Sequence, residues 1–343
     1  MTKKINSHGH LLPYAHQIPR FMKEKEFFWV SDDGQYMCQA NWKRPITDDS
    51  FFLNEKLAWM DKHQIDHEVI LTLSQLYCNG YSEEDCHDII RFQNDFNAQV
   101  QAENKERLTT GFVVQPAYID QALAEIERCV KEHDLKLLCL STHYLNQDQE
   151  WVSVADSSLA PIYELANELK LAIEIHPYDA DKLVNMKNTF WRHHLVWMMA
   201  QTADTYMMYA LNGIAQQYPQ IRTCFAHGAM LAQANHARVI QGLEGRPDLF
   251  TGAYHPNDIL AHENVYFDTL VHDPYTLQLM LNRHGSNQIL CGIDDPYPLG
   301  EMETVEGWYP GRLLDDALEK QVITQQQHSE IWHDNVLRWI NGD

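Results

Sequence analysis

Eight apolar, strand-like runs recur along the chain, and most are followed by a stretch that reads as helix. The runs are residues 4–10, 67–74, 107–115, 135–142, 169–176, 221–227, 264–271 and 288–294. Between them, residues 119–132 place Leu123, Ile126 and Val130 on one face, and residues 158–169 carry Leu159, Ile162, Leu165 and Leu169 at three- and four-residue spacing. Residues 85–103 and 195–217 read as helical by composition and length, and 324–340 as a closing helix. Parallel neighbours need a long crossover, usually a helix, so this alternation implies a parallel sheet. Eight such units close into a (β/α)₈ TIM-type barrel, an α/β fold. The 343 residues suit one domain of this kind spanning 1–343. Residues 11–53 break the pattern. They are rich in aromatic and charged side chains (Phe21, Phe27, Phe28, Trp29, Tyr36, Trp42) and contain Asp33-Gly34, a hairpin-turn signal. We read them as a small insertion after the first strand, a two- or three-stranded lid or side module.

In a (β/α)₈ barrel the chemistry gathers at the C-terminal ends of the strands. His10, His176, His227 and Asp294 fall at the ends of the first, fifth, sixth and eighth expected strands. His8 and His10 are two residues apart, so on a strand they face the same way and can grip one ion. A catalytic zinc takes about three protein ligands and keeps a position open for water. His8, His10, His176 and Asp294 offer three imidazoles and a carboxylate for it. Asp294 could ligate, accept the water's proton, or do both. His227 reads as the general acid/base, since a neutral imidazole can take and return a proton near pH 7; a fifth ligand is the alternative that spacing leaves open. No lysine stands where a carbamylated bridging ligand would be needed, which favours one metal over two. Taken singly, a histidine at a strand end is commonly a hydrogen-bonded core residue, and Asp294-Asp295-Pro296 is a turn. Their joint arrival at one end of one barrel is what points to a metal-dependent enzyme.

Composition narrows the partners. A net charge of −22 argues against nucleic acid and anionic membrane surfaces. An anionic small substrate would need a metal or arginines close by. No apolar run approaches the roughly 18 residues of a membrane span, and Met1-Thr2-Lys3-Lys4 leads into a polar motif rather than an apolar signal region. A cytoplasmic location is the expectation. The seven cysteines are odd in number and form no closely spaced pair, so a disulfide framework is not expected.

Five segments carry a resemblance: Ile175-His176-Pro177-Tyr178-Asp179, Cys224-Phe225-Ala226-His227-Gly228, Gly245-Arg246-Pro247-Asp248-Leu249, Phe267-Asp268-Thr269-Leu270-Val271-His272-Asp273 and Gly292-Ile293-Asp294-Asp295-Pro296-Tyr297-Pro298-Leu299-Gly300-Glu301. Together they resemble the α-amino-β-carboxymuconate-ε-semialdehyde decarboxylase family, a branch of the amidohydrolase superfamily. The resemblance implies one zinc per chain, held by His8, His10, His176 and Asp294, although another divalent transition metal can occupy such a set. It implies that His227 activates the metal-bound water, that hydroxide adds to the substrate carbon next to the departing carboxylate, and that CO₂ leaves without oxygen or an organic cofactor. The substrate would be 2-amino-3-carboxymuconate 6-semialdehyde, a dicarboxylate of tryptophan (kynurenine) catabolism. The resemblance also implies substrate clamps at Arg44 and Arg246, the latter contributed across a homodimer interface; an arginine fork suits a carboxylate better than lysine does. His194 stands where the family has a tryptophan near the substrate, and Tyr297 where it has a phenylalanine. Asn6 replaces a usual aspartate and Asp295 a tyrosine, so the metal frame matches better than the pocket lining. Two other readings compete. One is a related metal-dependent hydrolase, hydratase or hydroxybenzoate-type decarboxylase. The other is a binding protein whose metal is only structural.

Overall fold

The computed structural model describes residues 3–40, 42–178, 189–303 and 306–342. Eight parallel strands lie side by side in chain order. They are β1 (Ile5–His10), β2 (His67–Leu71), β3 (Leu108–Val113), β4 (Leu137–Ser141), β5 (Ala172–His176), β6 (Arg222–Phe225), β7 (Val265–Asp268) and β8 (Ile289–Leu290). Each is followed by a helix: α1 (Leu53–His63), α2 (Glu83–Asn104), α3 (Ile119–His133), α4 (Ala160–Glu168), α5 (Met198–Leu211), α6 (Met230–Gly245), α7 (Pro274–His284) and α8 (Arg312–Glu319). This is the (β/α)₈ barrel expected from the alternation.

Period-two patterning explains how the strands are buried on both faces. Leu138, Leu140, Ile173, Ile175, Phe225 and Phe267 join one cluster with the helical residues Ile126, Ile162, Tyr206 and Tyr209. The alternate residues Val69, Leu71, Val113, Leu137, Cys139, Ala172 and Cys224 join a second cluster. Fully burying a side chain of this size contributes about 1.5–3 kcal/mol, so the two layers dominate the stability. Helix starts follow local chemistry: the Ser82 hydroxyl accepts from the Asp85 amide, and Asp273 accepts from Thr276 at 2.7 Å.

The barrel closes in an unexpected way. The sequence suggests a last strand over 288–294, yet its ladder with β7 spans only Ile289 and Leu290. The following residues turn to β1 instead: Ser7 donates its amide to the Cys291 carbonyl at 2.7 Å, Asp294 to His8 at 2.7 Å and His10 to Asp295 at 2.9 Å. The pairing of β1 with β2 slips between Asn6 and Gly9, which is a bulge. A bulge re-aims the side chains beyond it. Here His8 and His10 face inward, whereas Gly9 turns outward onto Glu68, whose Oε1 fills the space a Cβ would need.

Within residues 11–53, Trp29–Val30, Tyr36–Gln39 and Trp42–Pro45 form a three-stranded antiparallel sheet. Gly34 supplies the positive φ of 71° at its turn. The helix expected over 195–217 is interrupted twice. It opens with a π-type turn at His193–Trp197 and ends before Gly213, whose φ is 64°. The closing helix of 324–340 likewise contains a π-type turn at Glu330–Asp334.

Candidate metal centre

Four ligand-type side chains, from β1, β5 and the segment after β8, converge at the C-terminal end of the barrel. One ligand atom each from His8, His10, His176 and Asp294 lies within 4.8 Å of all the others, and all four residues are buried. His8 Nε2 is 3.2 Å from His10 Nε2, and Asp294 Oδ1 is 3.1 Å from His10 Nε2. His176 Nδ1 lies 2.7 Å from the Pro177 carbonyl. A carbonyl can only accept, so Nδ1 carries the proton and Nε2 keeps its lone pair. That Nε2 is buried with no hydrogen-bond partner among the described residues. Burying an unpaired polar atom costs about 1–3 kcal/mol, and a cation at the centre of this group would satisfy it. The donor set, three imidazole nitrogens and a carboxylate oxygen, fits zinc, manganese or a similar divalent ion.

His8 is oriented by Asp268, to which the sequence motifs assign no role. His8 Nδ1 is 2.8 Å from Asp268 Oδ2. The same carboxylate accepts amides from His227 at 3.0 Å and Gly228 at 3.0 Å. Asp268 thus fixes the His8 tautomer and leaves Nε2 to face the other ligands. Carboxylate partners of ligating histidines tune affinity, and their loss costs about 10–100-fold. Asp268→Asn is therefore expected to weaken zinc binding by about that factor, measured by competition with a chromophoric chelator. A signal for it exists in the sequence: Asp268 ends β7, as His176 ends β5.

Charge within the cluster is arranged for binding a cation. Burial alone would lower His8, but its hydrogen bond to Asp268 and the nearby Asp294 overrule this and raise it to about 9. Burial, then the neighbouring His227 and His8, hold His176 well below the ordinary imidazole range. Asp294 would be raised by burial, yet its hydrogen bonds to His10 and His227 keep it well below the usual carboxylate range. A metal must displace the proton of His8. Below pH about 9, metal uptake should release one proton. The apparent affinity should then strengthen about tenfold per pH unit between about pH 6 and 8. A titration that releases no proton would contradict this.

His227 stands beside the four. Its backbone, with those of Gly228 and Ala229, is left-handed (φ 55°, 58° and 42°), and the two Asp268 contacts clamp the turn. A Cβ on Gly228 would lie 2.7 Å from Val271 Cγ1, so glycine is required for the turn to pack. His227 Nε2 is 3.8 Å from Asp294 Oδ2, and its ring is 5.1 Å from that of His176. Its Nδ1 is buried without a partner among the described residues. Glu174, two residues before His176, is another group the motifs leave without a role. Burial, and then Asp268 and Asp294 against the opposing His8, raise it to about 8.

A cleft of about 170 Å³ opens from the cluster, lined by Arg44, Gln75, Trp191, His194 and Tyr297 among others. Drug-sized sites span roughly 300–1,000 Å³, so this one suits a small molecule. Three of the four expected substrate contacts reach it. Arg44, on the small antiparallel sheet, holds its guanidinium carbon 5.0 Å from the Tyr297 ring centre and 5.9 Å from that of Trp191. Tyr297 packs against His10 with ring centres 5.0 Å apart. His194 packs against Trp191 at 4.8 Å. His272, with φ 57°, also lines the cleft, though its sequence motif carries no assigned role for it. Arg246 does not line the cleft. It is exposed at the end of α6 and forms a two-point pair with Asp248 at 2.9 and 2.8 Å. Asp179 lies outside the described residues.

The barrel and its end-on cluster of three histidines and an aspartate define an amidohydrolase, and the family comparison agrees: the amidohydrolase family profile matches residues 5–339. The chain belongs to the amidohydrolase family. Within it, the chain is similar to the 2-amino-3-carboxymuconate-6-semialdehyde decarboxylase of Dictyostelium discoideum, 27% identical over 94% of this chain and 88% of the relative. It is also similar to that of Caenorhabditis elegans, 32% identical over 52% of this chain and 42% of the relative. The resemblance drawn from the motifs is therefore supported over nearly the whole chain. Among solved structures, 5-carboxyvanillate decarboxylase from Novosphingobium aromaticivorans, complexed with manganese, shares the fold with a TM-score of 0.77. It is 14% identical and the match covers 98% of this chain and 96% of that one.

Proposed function

We propose that the protein is a metal-dependent decarboxylase acting on 2-amino-3-carboxymuconate 6-semialdehyde without an organic cofactor. The observation that carries the reading is the convergence of His8, His10, His176 and Asp294 beside His227, at the foot of a cleft with an arginine in its wall. The full-length similarity to the Dictyostelium discoideum decarboxylase supports it.

His8, His10, His176 and Asp294 would hold one divalent cation, with zinc our choice. Such an ion supplies Lewis-acid chemistry and makes water acidic enough to react near neutral pH. His227 takes a proton from water, whose oxygen adds to the unsaturated carbon neighbouring the one that bears the departing carboxylate. The proton returns to the carboxylate-bearing carbon. CO₂ then leaves, and the electron pair of the broken bond reforms the double bond as hydroxide departs. Arg44 binds and orients a carboxylate in the cleft. Trp191 and Tyr297 hold its guanidinium in place and limit the water around it. Tyr297 and His194 complete the contacts to the substrate.

Arg246 acts from the second chain of a homodimer. A mixture of Arg246→Ala with His227→Ala chains should regain part of the activity that each lacks alone. No recovery in verified mixed dimers would place the site within one chain. No described helix is long and apolar enough to cross a membrane. All seven cysteines are free and buried, which supports a reducing, cytoplasmic setting.

The decisive experiment pairs metal analysis with CO₂ release from freshly generated 2-amino-3-carboxymuconate 6-semialdehyde. 5-Carboxyvanillate serves as the comparison acid, because a solved relative of the same fold is named for it. Metal-loaded protein that turns over only the aromatic acid would overturn the substrate assignment. Loaded protein that releases no CO₂ from either would overturn the proposed activity.

A further inference from the structure

The first strand and the segment that follows β8, which carry three of the four candidate ligands, meet at one buried carboxamide. Asn6 is completely buried. Its Oδ1 accepts the amide of His8 at 3.0 Å and the amide of Ile293, the residue before Asp294, also at 3.0 Å. Its Nδ2 donates to Asp295 Oδ1 at 2.6 Å. One side chain therefore bonds the backbone at His8, the backbone entering Asp294 and the side chain that follows it. Behind it, Lys56 from α1 donates to Asp295 Oδ2 and, at 2.9 Å, to Glu68 Oε1. Lys56, Glu68 and Asp295 are each 0% exposed.

We propose that Asn6, anchored by Asp295 and Lys56, is the positioning residue that sets the spacing of His8 and Asp294 for metal binding. This rests on the reading that those residues hold the ion. The position needs an acceptor toward two amides and a donor toward a carboxylate, which a carboxamide supplies. An apolar residue would orphan two buried amides. A carboxylate would oppose Asp295 at hydrogen-bond distance. The bulge after Asn6 makes this possible: it leaves Asn6 on the outer face toward α1 while His8 and His10 point inward.

A side-chain exchange tests the idea. Asn6→Asp and Asp295→Asn each spoil one donor–acceptor pairing with little change in size. The double exchange restores it in reverse: the new carboxylate at position 6 would accept all three hydrogen bonds, and the new amide oxygen at position 295 would accept from Lys56. Zinc affinity of the metal-free proteins is read by chelator competition, beside cooperative unfolding. Each folded single variant should bind zinc about 10–100-fold more weakly, and the double exchange should return affinity close to the parent value. If Asn6→Asp does not fold, Asp295→Asn and the double variant carry the comparison. Folded single variants with parental affinity would overturn the proposal, as would a double variant no better than the singles. A parent protein that binds no divalent metal would instead overturn the metal-centre reading itself.

Discussion

His227→Asn should retain the metal and lose turnover by about 10²–10⁴-fold, the contribution of a positioned acid or base. Substitution removes the proposed acid/base while leaving the four ligand-type side chains in place, since His227 lies outside the set whose atoms converge within 4.8 Å. The backbone turn should survive, because Asp268 holds it through amides rather than through the imidazole. Asparagine also tolerates the left-handed φ of 55° better than most residues. The measurement is kcat beside metal stoichiometry. A variant that loses its metal in proportion to its activity would make His227 a ligand, and one near the parental rate would remove it from the chemistry.

The second large effect is expected at Lys56. Replacing it with methionine leaves Glu68 and Asp295 as buried carboxylates without their cation. Breaking a buried ion pair from one side costs about 3–5 kcal/mol, a large share of the roughly 5–15 kcal/mol that holds a domain together. The loss should depend on pH. Burial, then Asp295 against the opposing Lys56, already raises Glu68 to about 7, and burial also raises Asp295. Without Lys56 both rise further above their unfolded values. A carboxyl raised on folding carries no penalty below its unfolded pKa and a growing one as pH climbs toward its folded pKa. The stability deficit of Lys56→Met should therefore be smaller at about pH 5 than at about pH 8. Urea midpoints at the two pH values test this, and an equal deficit at both would show that the lost charge is not the cause.

These residues also show what the sequence discloses. The barrel is legible because alternation of strand and helix leaves few other architectures, and the candidate ligands because four of the expected strand ends carry side chains able to bind metal or move protons. Arg44, Tyr297 and His194 reach the cleft as a family resemblance implies rather than through any pattern of their own. Lys56 is not legible. In Asn54-Glu55-Lys56-Leu57 it reads as a surface lysine on an amphipathic helix, and only the fold brings it to Asp295. In the sequence Asn6 stands out only as a departure from an aspartate, and Asp295 only as a departure from a tyrosine. A direct hydrogen bond joins the two positions in the fold. The bulge that places Asn6 cannot be read from period-two patterning, since a strand without it would point Asn6 the same way as His8 and His10. The last strand is shorter than its apolar run for a related reason: such a run does not reveal which neighbour its backbone will choose.

Because His8 and His10 precede Asp294 by most of this chain, no translation intermediate ending before Asp294 can own a finished ion pocket. On the proposed metal reading, loading waits until that aspartate has emerged.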